Sequence, residues 1–269
     1  MNSDLSREQS GRMAGLMREQ LNEMMAAADE LSTLLEGSEK GQEYLAVLNR
    51  GLYRQLRLAR RLSLFYSLNS SDEVRLQLRP VDLVELCRDL AAQAEGLLAP
   101  LNIQVRFRSS LRELLTLADP DRITDLLLSL LSNSVKAIGT GGHIELALEK
   151  RNDNAVFLVT DDGGGVDSAA LADFFDQAEE ELDIPDHPTM KLGLPLARTI
   201  AALHGGFLLA DNYAGQGVRQ AASIPLKDCN SVRELKSRPV LQECGPNKVL
   251  VELSDCLPAQ FYRPGGMDL

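Results

Sequence analysis

Histidine is scarce in this sequence, and its three copies, His143, His187 and His204, all lie in the second half. Any chemistry in the first half must therefore proceed without an imidazole as base or nucleophile. The four cysteines, Cys87, Cys229, Cys244 and Cys256, form no CxxC pair, which argues against a zinc knuckle or a disulfide framework and leaves them as buried or incidental thiols. Also missing is any apolar run of the roughly 18 residues that a membrane span needs. The start, MNSDLSREQS, has neither the basic residues nor the apolar stretch of a signal peptide, so a cytoplasmic chain is expected. Basic residues are in deficit: 28 Lys and Arg face 39 Asp and Glu, and the net charge of -11 argues against a general nucleic-acid or acidic-membrane binder.

What is present is an ordinary globular composition, 44% hydrophobic over 269 residues, enough for one large domain or two modest ones. From about Leu5 to Leu35 no proline intervenes, and Met13, Met17, Leu21, Met24, Ala28, Leu31 and Leu35 recur at threes and fours. That spacing predicts a long amphipathic helix. Glu36 to Gly41 breaks it, and Leu45, Leu48, Leu52, Leu56, Ala59, Leu62 and Phe65 carry a second helix to about Leu68. Residues 1–68 are thus expected to form an antiparallel helical hairpin with broad apolar faces. Homodimerisation into a four-helix bundle would cover those faces; packing against the rest of the chain is the alternative.

Residues 69–80 read as a linker. Asp82 then reads as the N-cap of a helix to about Leu98, followed by a strand at Ile103–Phe107 and a helix from Asp121 to Ile138. Further strands are expected at His143–Glu149, Ala155–Thr160, Phe207–Ala210 and Arg219–Ile224, with a helix at Gly193–His204. Helices clustered with a mostly antiparallel sheet give an α+β chain, its α/β sandwich spanning 81–226. In the extension 227–269, Lys248 to Ser254 reads as a strand, paired with Pro239 to Glu243 as a β-hairpin before a loose tail.

Three stretches suggest chemistry. In Val159-Thr-Asp-Asp-Gly-Gly-Gly-Val166 an apolar strand runs into carboxylates and three glycines. A carboxylate at a strand end can accept a hydrogen bond from an exocyclic amine such as adenine's, and the glycines let backbone approach a flat ligand; a plain tight turn is the alternative. In the helix before it, Asn133 and Lys136 lie one turn apart among aliphatic residues. An Asn oxygen suits magnesium and a lysine suits phosphate, while an Asn facing solvent is the bland reading. Gly193 opens a helix whose N-terminus is a ready phosphate site, and His204, near its other end, reads as a capping or packing residue.

The order and spacing of these stretches resemble the ATP-binding domain of sensor histidine kinases, whose fold is shared with gyrase B, Hsp90 and MutL. Asn133 falls in the N box, Asp161, Gly163 and Gly165 match the D-x-G-x-G adenine box, and Leu192-Gly-Leu194 matches the end of the phosphate glycine box. Arg79-Pro-Val-Asp-Leu, Asp119-Pro-Asp-Arg-Ile, His204-Gly-Gly and Gly215-Gln-Gly217 match as well. The resemblance implies a histidine-kinase ATP-binding (Bergerat) sandwich behind a dimerising hairpin. ATP and Mg2+ are the implied cofactors, and a response regulator or sensor the implied protein partner. Asp161 would receive the adenine amine, Asn133 would hold magnesium, Lys136 would contact phosphate, and Gly163, Gly165, Gly193 and Leu194 would shape the pocket.

Phe174-Phe175 would precede an ATP lid at Gln177–Lys191, with Lys191 a candidate phosphate contact. The sequence departs from the family in three places. Thr189 and Lys191 stand where two phosphate-box glycines belong, and Ser129 replaces the glutamate base of gyrase-type ATPases. Gly11 to Leu21, where the phosphoacceptor is expected, holds no histidine. Three readings follow: a histidine-kinase-like enzyme of a two-component or related system, a pseudokinase acting as a nucleotide-regulated interaction module, or an anti-sigma-type serine kinase.

Overall fold

The long amphipathic patterns become helices α1 (Asn2–Leu34) and α2 (Glu39–Leu68) in a computed structural model that describes residues 2–68, 76–165, 192–213, 217–229 and 246–263. The chain divides into two units, one made of Met1–Arg75 with Gly245–Leu269 and the other of Leu76–Cys244.

In the first unit the helices are joined by a turn at Gly37, whose φ of +86° only glycine adopts easily. The Ser38 hydroxyl accepts from the Gly41 amide at 3.2 Å and starts α2. Ala14, Leu21 and Ala28, seven residues apart, are buried on α1, as are Leu45, Leu52, Leu56 and Ala59 on α2. Other members of the expected stripe face outward: Met13 is 62% exposed, Met24 53% and Leu31 43%.

A second stripe of α2, Ala46, Asn49, Tyr53, Arg57 and Arg61, is buried too. It receives the C-terminal segment, in which α6 (Lys248–Glu252) is followed by a 3-10 turn at Ala259–Tyr262. The strand expected at Lys248–Ser254 is therefore corrected to a helix. Its cause is local and tertiary: the Asn247 side chain accepts from the amides of Val249 and Leu250 at 2.9 and 3.2 Å, and Val249, Leu250 and Val251 are all buried, so no two-faced alternation exists. Pro239–Glu243, its expected strand partner, lies outside the described residues.

The second unit begins with a strand where the sequence pattern reads as the end of a linker. β1 (Arg79–Asp82) pairs antiparallel with β3 (Leu115–Ala118), a strand the pattern does not reveal. Asp82 caps α3 (Leu83–Leu98), accepting from Val84 N at 2.9 Å and from Leu114 N at 3.0 Å. The main sheet runs β2 (Ile103–Arg108), β4 (Gly142–Arg151), β5 (Asn154–Asp161), β7 (Val218–Pro225), β6 (Phe207–Asn212), parallel between β2 and β4 and antiparallel elsewhere.

Register sets one face of this sheet in layers: Phe107, Leu146, Val159 and Gln220 form one row and Leu148, Phe157, Ala222 and Leu208 the next. That face buries Val105, Ile144, Leu146, Phe157 and Val159, each at most 1% exposed. With α3 it packs α4 (Pro120–Ile138), and α4 packs α5 (Gly193–Leu203). Helix α4 is buried nearly all round, Leu126, Leu127, Leu128, Leu130 and Leu131 being inaccessible. The unit is an α/β sandwich as expected.

Candidate functional site

Two polar residues sit on the apolar face of the sheet. Asp161, the last residue of β5, and Gln220, on β7, are each 3% exposed. A buried polar side chain is destabilising unless it is hydrogen-bonded, and both are. Asp161 Oδ1 accepts from Gly163 N at 3.1 Å and Val218 N at 3.2 Å, and Oδ2 accepts from the Ser134 hydroxyl at 2.8 Å. A carboxylate offers about four acceptor positions, so three donors leave one for a further amine.

Gln220 continues the network. Its amide donates to Leu130 O at 3.2 Å and to Ser134 Oγ at 3.4 Å, and its Oε1 accepts from Asn133 Nδ2 at 3.2 Å. Asn133 and Asp161, proposed from separate stretches of sequence, are thus joined through Gln220 and Ser134. Of the Asn133 side-chain amide, this bond engages the nitrogen and not the carbonyl oxygen, the atom suited to a cation. Ser134 and Gln220 were missed by the sequence reading; the available signal was Gln220 alternating with Val218, Ala222 and Ile224 at an inward position of an apolar strand.

The glycines are placed by close approach. A Cβ on Gly217, whose φ is +86°, would lie 1.9 Å from the Asp161 carbonyl oxygen. One on Gly163 would sit 3.0 Å from the Ala137 backbone, bringing the loop against α4 just beyond Asn133. Gly165 has a φ of +72°. Leu194 is half-buried and Gly193 buried at the start of α5, where Leu192 supplies no side-chain cap. Lys136 is exposed on α4 one turn beyond Asn133. Lys191, Phe174, Phe175 and the expected lid lie outside the described residues, as do Gly215 and Gln216.

Other conspicuous polar residues prove structural. His204 Nδ1 meets Ile200 O at 2.8 Å while Nε2 accepts from Asp119 N at 3.2 Å, which selects the neutral Nδ1–H tautomer; burial holds its pKa below the ordinary value. Asp119 in turn caps α4, accepting from Arg122 N at 3.2 Å and from Gln77 N at 3.0 Å. A Cβ on Gly206 would meet Ser223 O at 1.6 Å, which explains the glycine beside this histidine. Asp162 accepts from His143 N at 2.7 Å and meets its Nδ1 at 2.8 Å. Partial burial pushes the Asp162 pKa up, but these His143 contacts outweigh it and hold the carboxyl below its usual range. Ser129 is buried in α4.

Residues 118–228, which include every described member of this site, match the family of histidine kinase-, DNA gyrase B-, and HSP90-like ATPases. The chain carries a histidine-kinase-like ATPase domain. Outside that domain, similarity extends into the hairpin: the circadian input-output histidine kinase CikA of Synechococcus elongatus is 26% identical over 219 residues, 80% of this chain and 28% of that protein. The chain therefore spans about a quarter of that relative's length. Full-length ShkA, solved in complex with AMPPNP, has the same fold at a TM-score of 0.65 and 23% identity, over 92% of this chain and 54% of that one. Histidine kinase ThkA, solved in complex with response regulator protein TrrA, aligns at a TM-score of 0.55 and 23% identity over 82% of this chain and 61% of that one. The ATPase domain is thus of the kind found in two-component sensor kinases. No described helix is long and apolar enough to cross a membrane.

Proposed function

We propose that the ATPase domain binds Mg-ATP and that the chain works as a dimeric histidine-kinase-like signalling protein, with a response regulator or sensor as its protein partner. The network from Asn133 through Gln220 and Ser134 to Asp161 carries this reading. Asp161 keeps one acceptor position for the adenine amine, and the Asn133 oxygen would hold magnesium. The amides at Gly193 and Leu194 would meet phosphate oxygens, with Lys136 and Lys191 as point charges near them. Magnesium, when bound, neutralises phosphate charge, which this acidic chain would otherwise repel. The exposed Met13, Met24 and Leu31 on α1 and Val47 and Leu48 on α2 support homodimerisation through the hairpin.

The test is Mg-ATP titration by calorimetry, with and without Mg2+. Micromolar to low-millimolar binding that depends on Mg2+ and loses that dependence in Asn133→Ala supports the reading; no binding by the wild-type chain overturns it. A second reading, a pseudokinase whose nucleotide state controls a partner, is favoured by the hairpin's lack of histidine and by the burial of Ser129 where gyrase-type enzymes place their base. Phosphate transfer to a partner regulator separates the two.

A further inference from the structure

One atom, the carbonyl oxygen of Leu130, fixes the direction of each hydrogen bond around Gln220. A backbone carbonyl only accepts, so the Gln220 group 3.2 Å from it is the NH2 end, and Oε1 faces Asn133. The Asn133 group that meets Oε1 at 3.2 Å is in turn its own NH2. Flipping both amides would set two acceptors against each other at Leu130. Asn133 therefore keeps its carbonyl oxygen out of this pairing, and that oxygen is the atom the proposed magnesium needs.

The same carbonyl directs Ser134. In α4 this serine stands four residues after Leu130, and a helical serine readily turns its hydroxyl back onto the carbonyl at that spacing. Both lone pairs of Leu130 O are in use, one by the helix's own bond from Ser134 N and the other by the Gln220 amide. Gln220 also donates to Ser134 Oγ at 3.4 Å, so the hydroxyl proton goes to Asp161 Oδ2, 2.8 Å away. With the amides of Gly163 and Val218 on Oδ1, this bond holds the carboxylate by both oxygens and leaves its remaining acceptor position on Oδ2. Ser134 and Gln220 are buried, so water competes little for these bonds.

We propose that Gln220 and Ser134 are positioning residues that preset both ends of the nucleotide site: Gln220 reserves the Asn133 oxygen for the cation and, through Ser134, holds the Asp161 carboxylate for the adenine amine. The inference rests on the nucleotide reading above, and such preorganisation removes the cost of reorienting either group when the ligand arrives. Calorimetry on the full chain yields two ratios. The first is affinity for Mg-ATP over the magnesium complex of purine riboside triphosphate, which lacks the 6-amino group; the second is affinity for ATP with Mg2+ over that with EDTA. Gln220→Met, similar in length but without the amide, reduces both ratios by about five-fold, the effect of one ordinary hydrogen bond. Ser134→Ala reduces the first by a similar factor and leaves the second within about two-fold, and Ser134→Thr, which keeps the hydroxyl, restores the first. A purely structural role moves the melting temperature and leaves both ratios alone. A folded Gln220→Met chain that keeps either ratio at its wild-type value overturns the proposal. Should that variant not fold, Ser134→Ala decides, an unchanged first ratio overturning the proposal. A wild-type chain that binds neither triphosphate, or both equally, overturns the nucleotide reading itself, and this assignment falls with it.

Discussion

Replacing Asp161 by asparagine isolates the atom on which the nucleotide reading turns. Three donors converge on the carboxylate: two backbone amides on Oδ1 and the Ser134 hydroxyl on Oδ2. In the Asp161→Asn variant the side-chain oxygen can keep the amides of Gly163 and Val218, while the new NH2 faces Ser134, whose hydroxyl can rotate to accept. The fold should survive at a loss of about 1 kcal/mol, a shift of roughly 2–4 °C in melting temperature. Binding should suffer far more, because the adenine amine now meets an NH2 where an acceptor stood. Loss of a hydrogen bond to a charged group is worth about 1.5–3 kcal/mol, a weakening of Mg-ATP binding by roughly 10- to 150-fold. Calorimetry beside a thermal melt separates the two effects. A folded Asp161→Asn chain that binds Mg-ATP within about three-fold of wild type would refute the assignment of Asp161 as the adenine acceptor. The same logic makes the wild-type chain prefer ATP over GTP, since guanine carries an oxygen acceptor where adenine carries its amine.

Three other outcomes are expected. Gly217→Ala should prevent the ATPase domain from folding normally, because its Cβ would lie 1.9 Å from Asp161 O at a φ of +86°; loss of more than about 3 kcal/mol, read by denaturant unfolding, is the expected size. Gln220→Leu should leave the Asn133 amide and the Leu130 carbonyl without this partner, lowering stability by about 1–3 kcal/mol and weakening the Mg2+ dependence of ATP binding seen in calorimetry. His204 should make stability pH-dependent: its folded pKa lies below the ordinary 6.5, so the unfolded chain binds the proton first. Its contribution is complete above about pH 6.5 and is lost as pH falls toward the folded value. Melting temperatures should drop across that window in the wild type, and the His204→Gln variant should show a flatter profile.

The hairpin and the sandwich were legible because both rest on periodicity and caps that act over a few residues. Asp82 and Asp119 cap the helices they precede, and the strand leading to Asp161 ends in glycines that mark the loop. The short β1–β3 pair escaped because four residues on each strand carry little alternation, and Pro80 argues against a strand except at an edge or start. The C-terminal segment escaped for a different reason. Lys248-Val-Leu-Val, a short apolar run with two β-branched residues, reads as a strand only in isolation; in the folded unit Val249, Leu250 and Val251 are all buried, and Asn247 starts a helix. What the pattern did hold was an unanswered charge elsewhere. Arg57 and Arg61 continue from Tyr53 at four-residue spacing on an inward stripe of α2, where a guanidinium is tolerable only beside a carboxylate, just as Gln220 on the inward side of β7 is tolerable only beside polar partners. A polar residue at an inward register thus predicts a specific partner far away in sequence, and both Glu252 and Ser134 answer that demand.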